Sequence, residues 1–415
     1  MYYISRNSLA KEQTMRWSFI LFFGVFFTAY GLVNLYIFVR GWQAISQGSF
    51  LRTVYVPIFL ILSLSFIGGR VLENLWLSWV SELFVWTGSF WLAAMLYFFL
   101  AIIVLDFVRG MNHWLSFLPS PGSAHYTVVK QWIAVGLICS VALLLLAGHI
   151  NALSPKIRTL DLSIPRKNAK VDTLNIVVAS DIHLGTLVGQ KRFDKIVDRI
   201  NLLKPDIILL PGDIVDEDLG PVIKQNLGES LRGLKSRLGV FAITGNHEYI
   251  GGVEEATRYL VEHGVTVLRD RVLRIPETLD LIGREDRSMD RFAEKTRKPL
   301  KDLLTDIDGH VPVILMDHQP FHLEEGENHG VDLQISGHTH HGQLFPLNFV
   351  TERVYELSRG YKKKGKTHVY VSSGVGTWGP PVRLGNRPEI VQIRLTLVKS
   401  AEELSEAVSL RWGDD

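Results

Sequence analysis

Five short motifs place histidine, aspartate or asparagine directly behind an apolar run. Residues 174–179 lead into Ser180-Asp181-Ile182-His183, residues 206–210 into Pro211-Gly212-Asp213, and residues 240–244 into Gly245-Asn246-His247-Glu248. Downstream, residues 313–316 lead into Asp317-His318-Gln319-Pro320 and residues 331–335 into Ser336-Gly337-His338-Thr339-His340. Imidazole, carboxylate and amide oxygen gathered in one place suit Mn, Fe, Zn or a mixed pair, whereas an all-oxygen set suits Mg or Ca. Singly these signals are poor: D-x-H and G-D are common by chance, and a lone His318 reads as a structural hydrogen-bonding residue. Their joint order is the informative feature.

Elements that could position these groups are visible around them. The apolar runs are short and β-like, and residues 192–203 and 221–234 between them have helical spacing, which predicts βαβ units around a buried sheet. Pro312 precedes its run where a strand tolerates proline. Polar groups at the carboxyl ends of such strands converge on one site.

The ordered set D-x-H, G-D, G-N-H-[ED], H and G-H-x-H, complete from Asp181 to His340, resembles the calcineurin-like metallophosphoesterase superfamily. The tail Tyr370-Val371-Ser372-Ser373-Gly374-Val375-Gly376, with Pro380, Arg383, Pro388 and Glu389, resembles more narrowly the bacterial enzymes related to YkuE and YaeI. The resemblance covers about residues 171–396. It implies an α/β metallophosphoesterase domain, a central β-sandwich flanked by helices, and two divalent metal ions. Carried over position by position, Asp181, His183, Asp213 and His340 would hold one metal. Asp213, Asn246, His318 and His338 would hold the other, with Asp213 bridging.

Phosphate esters resist attack because their anionic oxygens repel hydroxide. Two metals about 3.5–4 Å apart neutralise those oxygens and acidify a bridging water. The resemblance makes His247 no ligand but the group that protonates the leaving oxygen or stabilises its charge, with Glu248 a candidate to orient it. Arg383 is a candidate phosphate contact, because guanidinium matches phosphate geometry, or else a structural ion pair. Departures narrow the reading. No Arg follows Asp216 in Gly212-Asp213-Ile214-Val215-Asp216-Glu217, which disfavours a phosphoprotein substrate, and no tyrosine ligand follows Asp213 as in purple acid phosphatases. His341 stands where the narrower subgroup carries Gly after G-H-T-H, in a supporting role or in altered metal or substrate contacts. Leu344-Phe345-Pro346-Leu347 and Lys362-Lys363-Lys364-Gly365-Lys366 read either as an apolar rim and basic clamp for an anionic lipid headgroup or as core packing and a solvated loop.

The first half of the 415-residue chain has another character. Hydrophobic residues make up 47% of the sequence, high for a soluble enzyme, and they concentrate before residue 153. Residues 17–39 and 83–105 are uncharged and long enough to span a bilayer; 53–69 and 132–150 complete a set of four transmembrane helices. A signal peptide would explain only the first. The predicted organisation is a membrane region over 1–153, a linker over 154–170 that is either headgroup-bound or solvated, a metallophosphoesterase domain over 171–400 and a tail over 401–415. Lys and Arg flank the spans nine to four in favour of the side carrying both termini, which predicts a multi-pass protein of the inner or plasma membrane with a cytoplasmic catalytic domain. No ionisable group falls in mid-span, so transport is disfavoured. Cys139 is the only cysteine, which excludes an intrachain disulfide and a cysteine metal site. A net charge of +2 speaks against nucleic acid as a partner.

The leading expectation is therefore a membrane-bound hydrolase of a phosphodiester or pyrophosphate, with membrane lipids as surroundings. The YkuE- and YaeI-related group includes enzymes of lipid A precursor hydrolysis, so a lipid-linked substrate such as a UDP-diacylglucosamine-like precursor is a further expectation. The alternative is a membrane sensor that uses the same scaffold only to bind.

Overall fold

The computed structural model describes residues 6–399, apart from 118, 120–122, 294 and 308. The predicted tail over 401–415 lies outside the described residues. The chain divides into two compact units, Met1–Ala147 and Gly148–Asp415.

Four helices, α1 (Arg6–Ala44), α2 (Phe50–Leu75), α3 (Trp79–Leu115) and α4 (Ala124–Ala152), are each long and apolar enough to cross a membrane. All extend beyond the uncharged runs that announced them, because helix continues into the polar residues at the interface. The Ser49 hydroxyl accepts from Leu51 N at the start of α2, and Ser78 and Ser81 form a reciprocal capping box at the start of α3. Inside the unit, buried Asn34 donates to Tyr30 O and accepts from Trp91 Nε1, both at 2.9 Å, while the Tyr30 hydroxyl donates to Ser63 O at 2.6 Å. These bonds tie α1 to α2 and α3, where hydrocarbon offers the polar groups no other partner.

The second unit holds two six-stranded sheets. Its strands are β1 (Lys156–Pro165), β2 (Thr173–Val178), β3 (Ile207–Pro211), β4 (Val240–Ile243), β5 (Thr266–Val267) and β6 (Arg271–Ile275), followed by β7 (Leu279–Gly283), β8 (Val313–Met316), β9 (Leu333–Ser336), β10 (Gly360–Lys364), β11 (Thr367–Val371) and β12 (Glu389–Val398). The first sheet runs β1-β12-β2-β3-β4-β5 and the second β10-β11-β9-β8-β7-β6. Pairs β2/β3, β3/β4, β7/β8 and β8/β9 are parallel. The strands carrying the motifs therefore point the same way within each sheet.

Alternating residues explain the layers. Ile176, Val178, Ile207 and Leu209 of the first sheet bury against Leu281, Ile314, Met316 and Ile335 of the second. The opposite face of the first sheet, with Val177, Ile208 and Leu210, packs on α5 (Gln190–Leu202) through Phe193, Ile196, Val197 and Ile200. That spacing is the buried stripe of an amphipathic helix, and each such side chain contributes about 1.5–3 kcal/mol on burial. The helical pattern over 221–234 resolves into two short helices, Gly220–Lys224 and Leu227–Arg232, interrupted by Asn226 at φ 54°.

Residues 156–165, inside the predicted linker, form a strand. The stretch read as a linker contains β1, which pairs in parallel with β12 from Lys156↔Glu389 to Pro165↔Val398 and buries Leu162 and Ile164. The run Leu160-Asp161-Leu162-Ser163-Ile164 alternates apolar with polar, and β12 supplies the partner.

Candidate metal centre

Every motif residue sits just past the carboxyl end of its strand. Asp181 and His183 follow β2, Asp213 follows β3, Asn246 and His247 follow β4, His318 follows β8, and His338 and His340 follow β9. The loops are tight: Asp181, His183, Asp213, His338 and His340 all have positive φ, between 45° and 72°. A non-glycine residue pays about 1–2 kcal/mol for that conformation, and such residues cluster where geometry is imposed for function. Glycines make room. A Cβ on Gly245 would collide with the Asp213 carboxylate, and one on Gly337 with Ser180 and Asp181.

Two ligand clusters result. Asp181, His183 and His340 bring one donor atom each within 4.8 Å of one another, and so do Asp213, His318 and His338. Asp213 Oδ2 lies 3.1 Å from His318 Nε2 and 3.8 Å from His183 Nε2, between the clusters. Asn246 Oδ1 is 3.3 Å from His318 Nε2. Buried carboxylates facing imidazole nitrogens, with an amide oxygen beside them, fit divalent transition metals.

Electrostatics prepares these groups unevenly. Burial raises the Asp181 carboxyl to about 7, against the pull of His318 and a backbone bond from His338 N at 2.7 Å. Burial and the charge on His318 lower His338 to about 3, and burial with His183 and Arg383 holds His340 well below the usual imidazole range. His318 is different. Although burial disfavours its cation, Asp213 and Asp181 raise it well above the ordinary value.

A second layer holds the donors. Pro211 O accepts from His318 Nδ1 at 2.8 Å, which points Nε2 into the site. Neighbouring Asp317 is fixed by Arg284 at 3.1 Å and Arg297 at 2.9 Å. Arg383, considered as a phosphate contact, is fully buried. Its guanidinium donates to Gly376 O at 2.8 Å and Asn386 Oδ1 at 2.9 Å, and Nη2 lies 3.1 Å from His340 Nδ1. It therefore braces His340, whose backbone O also accepts from Asn386 Nδ2 at 3.2 Å. Asn151, in the last turn of α4, donates to Arg383 O at 2.9 Å and Asn386 O at 2.7 Å and so fastens the 380–386 loop.

Glu248 has another duty than orienting His247. It accepts from the backbone N–H of Gly245, Asp213, Ile214 and Val215 at 2.7–3.1 Å, which shapes the Asp213 loop. The carboxylate beside His247 is Asp216, at 3.2 Å from Nδ1; the same oxygen is 3.6 Å from His183 Nδ1. Sequence reading missed this residue, although it stands in the same loop as Asp213. His341 is buried, with Nδ1 2.8 Å from Ser358 Oγ. Lys362 and Lys364 lie on β10 and pair with Glu356 at 2.9 and 2.7 Å, so these two form neither a free clamp nor a loop.

The family model for the calcineurin-like phosphoesterase domain matches residues 174–342. A metallophosphoesterase of Campylobacter jejuni is 30% identical over 384 residues, covering 91% of this chain and 98% of that protein. The chain belongs to the calcineurin-like phosphoesterases. The Campylobacter likeness extends through most of the helical half, so the relationship is not confined to the hydrolase. YkuE of Bacillus subtilis is 31% identical over 54% of this chain and 79% of that protein. A transmembrane protein with metallophosphoesterase domain from Danio rerio is 32% identical over 61% of this chain and 60% of its own length. This calcineurin-like phosphoesterase is accordingly a metal-dependent phosphoesterase joined to four apolar helices.

Proposed function

We propose that the protein hydrolyses a phosphodiester or pyrophosphate bond at a dinuclear centre. Asp181, His183, Asp213 and His340 hold one ion, and Asp213, Asn246, His318 and His338 the second. The observation that carries this reading is the position of Asp213 between the two ligand clusters. Mixed nitrogen and oxygen donors favour Mn, Fe or Zn. When bound, such a pair neutralises phosphoryl oxygens and makes water acidic enough to attack near neutral pH. His247, with Nδ1 turned to Asp216, offers Nε2 to protonate the leaving oxygen. Asp216 orients that imidazole, and Arg383 and Asn386 keep His340 in place.

The substrate in this reading is lipid-linked, a phosphodiester or pyrophosphate on an acylated carrier. Support comes from the rim. Phe345, Phe349, Val350, Val354 and Trp378 are exposed, and the Trp378 ring lies 5.7 Å from that of His247. Full-length enzyme is expected to turn over an acylated pyrophosphate with higher kcat/KM than its deacylated analogue. Equal efficiency would remove lipid recognition from the proposal. Absence of turnover on both substrates, and on a chromogenic phosphodiester, in protein carrying its metals would leave a binding scaffold instead.

We further propose that the hydrolase faces the cytoplasm from an inner or plasma membrane. The nine-to-four Lys/Arg asymmetry of the flanks supports this orientation. A cytoplasm-dependent reporter fused after Asp415 is expected to be active and an export-dependent one silent. The reverse pattern would overturn the orientation and move the substrate search to the outer face.

A further inference from the structure

The helical unit holds a half-open cavity of about 1140 Å³, at the upper end of ligand-site sizes. It lies at the end of the bundle where α1 finishes and α2 and α4 begin. Its mouth carries Arg40, Arg52, Arg109 and Lys130, with Asp106 the only acid among the described residues that line it. Asp106 is already engaged: Arg40 Nη2 is 2.5 Å away, the Tyr36 hydroxyl donates to it at 2.6 Å, and Arg109 Nη1 is 3.3 Å away. Arg52 rests over the Trp42 ring and donates to Ile45 O at 2.9 Å. Lys130 has no ion-pair partner among the described residues. Among the described residues Arg52 and Lys130 therefore have no carboxylate partner, and Arg40 and Arg109 share one.

Beneath the mouth the lining changes character. Phe59, Leu62, Trp91, Phe98 and Leu137 form the deeper wall. Along α2 the lining runs from Arg52 to Leu62, about 15 Å at the helical rise, which is half of a hydrocarbon core of about 30 Å. An anionic head at the interface over an apolar slot one leaflet deep matches one class of ligand.

We propose that this cavity binds a single anionic phospholipid, its phosphate held by Arg109 and Lys130 with Arg40 and Arg52 beside it and its acyl chains against Phe59, Leu62 and Leu137. A soluble phosphate would leave the apolar wall unused. A zwitterionic lipid would bring a cation to a mouth already in positive excess. The inference is independent of the metal centre.

The test uses full-length protein in nanodiscs of equal phosphatidylglycerol and phosphatidylcholine, followed by extraction into mild detergent and quantification of retained lipid. Phosphatidylglycerol is expected to be enriched at least about fivefold, the effect of about one interfacial charge. Arg109→Gln combined with Lys130→Gln is expected to abolish the preference while elution profile and metal content stay unchanged. Leu137→Trp, which leaves the cations in place, is expected to lower total retained phospholipid by narrowing the slot. No preference in the wild-type protein would overturn the proposal, and so would a preference that survives the double substitution. Displacement of phosphatidylglycerol by millimolar glycerol 3-phosphate would also overturn it, by reducing the site to a soluble-phosphate site.

Discussion

Asp213→Asn is expected to remove bound metal and phosphoesterase turnover together, with turnover falling by at least about 10²-fold, since loss of even an outer partner of a metal ligand costs 10–100-fold. Oδ2 of Asp213 approaches both His318 and His183, so the substitution takes a negative charge from both clusters at once. The metal-free protein should feel the loss too. Burial works against the Asp213 anion, yet His318, His247 and His183 hold its carboxyl well below the ordinary range, so in its absence the protonated His318 becomes a buried cation with a weaker counter-charge. Metal analysis by mass spectrometry, turnover of a chromogenic phosphodiester and thermal unfolding of the apo protein check the three consequences. Full metal content and wild-type turnover in the Asp213→Asn variant would remove Asp213 from the bridging position.

The residues of the candidate site were legible because each is local to its strand. An apolar run of four to six residues ends and the chemistry-bearing group follows within one to five positions, as in 174–183 and 331–340. Residues that support them from far along the chain were not. Arg383 reaches His340 across 43 positions and Asn151 reaches Asn386 across 235, and no periodicity encodes such contacts. Guanidinium chemistry alone permits a phosphate or a buried imidazole as neighbour, and only the path of the 380–386 loop decides. Glu248 illustrates the same limit. Its place beside His247 in sequence invited a role in orienting that ring, but a carboxylate next to a tight turn is better satisfied by four backbone N–H groups. β1 was hidden for another reason. Two prolines and five basic residues over 154–170 mark a connector, and the alternation at 160–164 becomes a strand only because β12 lies alongside.

His247→Ala should lower turnover by about 10²–10⁴-fold while leaving metal content near that of the wild type. The second half of that expectation discriminates, because His183, Asp216 and His247 also form a cluster whose donor atoms lie within 4.8 Å of one another. If His247 were a ligand, metal would fall with activity. Its charge state gives an independent check. Burial at this position disfavours the imidazolium, but Asp213, Asp216 and Glu217 outweigh it and raise the group to about 9 in the metal-free protein. A raised imidazole keeps its proton below that pH and loses it above, so a general acid at Nε2 predicts a kcat/KM that falls on the alkaline side as His247 deprotonates. Cations held at Asp213 would cancel part of the raising charge and leave Asp216, 3.2 Å from Nδ1, as the nearest remaining support. Asp216→Asn should therefore move the alkaline limb of kcat/KM to lower pH, a change that a purely structural aspartate would not produce. An alkaline limb that stays in place in the Asp216→Asn variant would separate His247 from the proton transfer and assign the leaving-group proton to another donor.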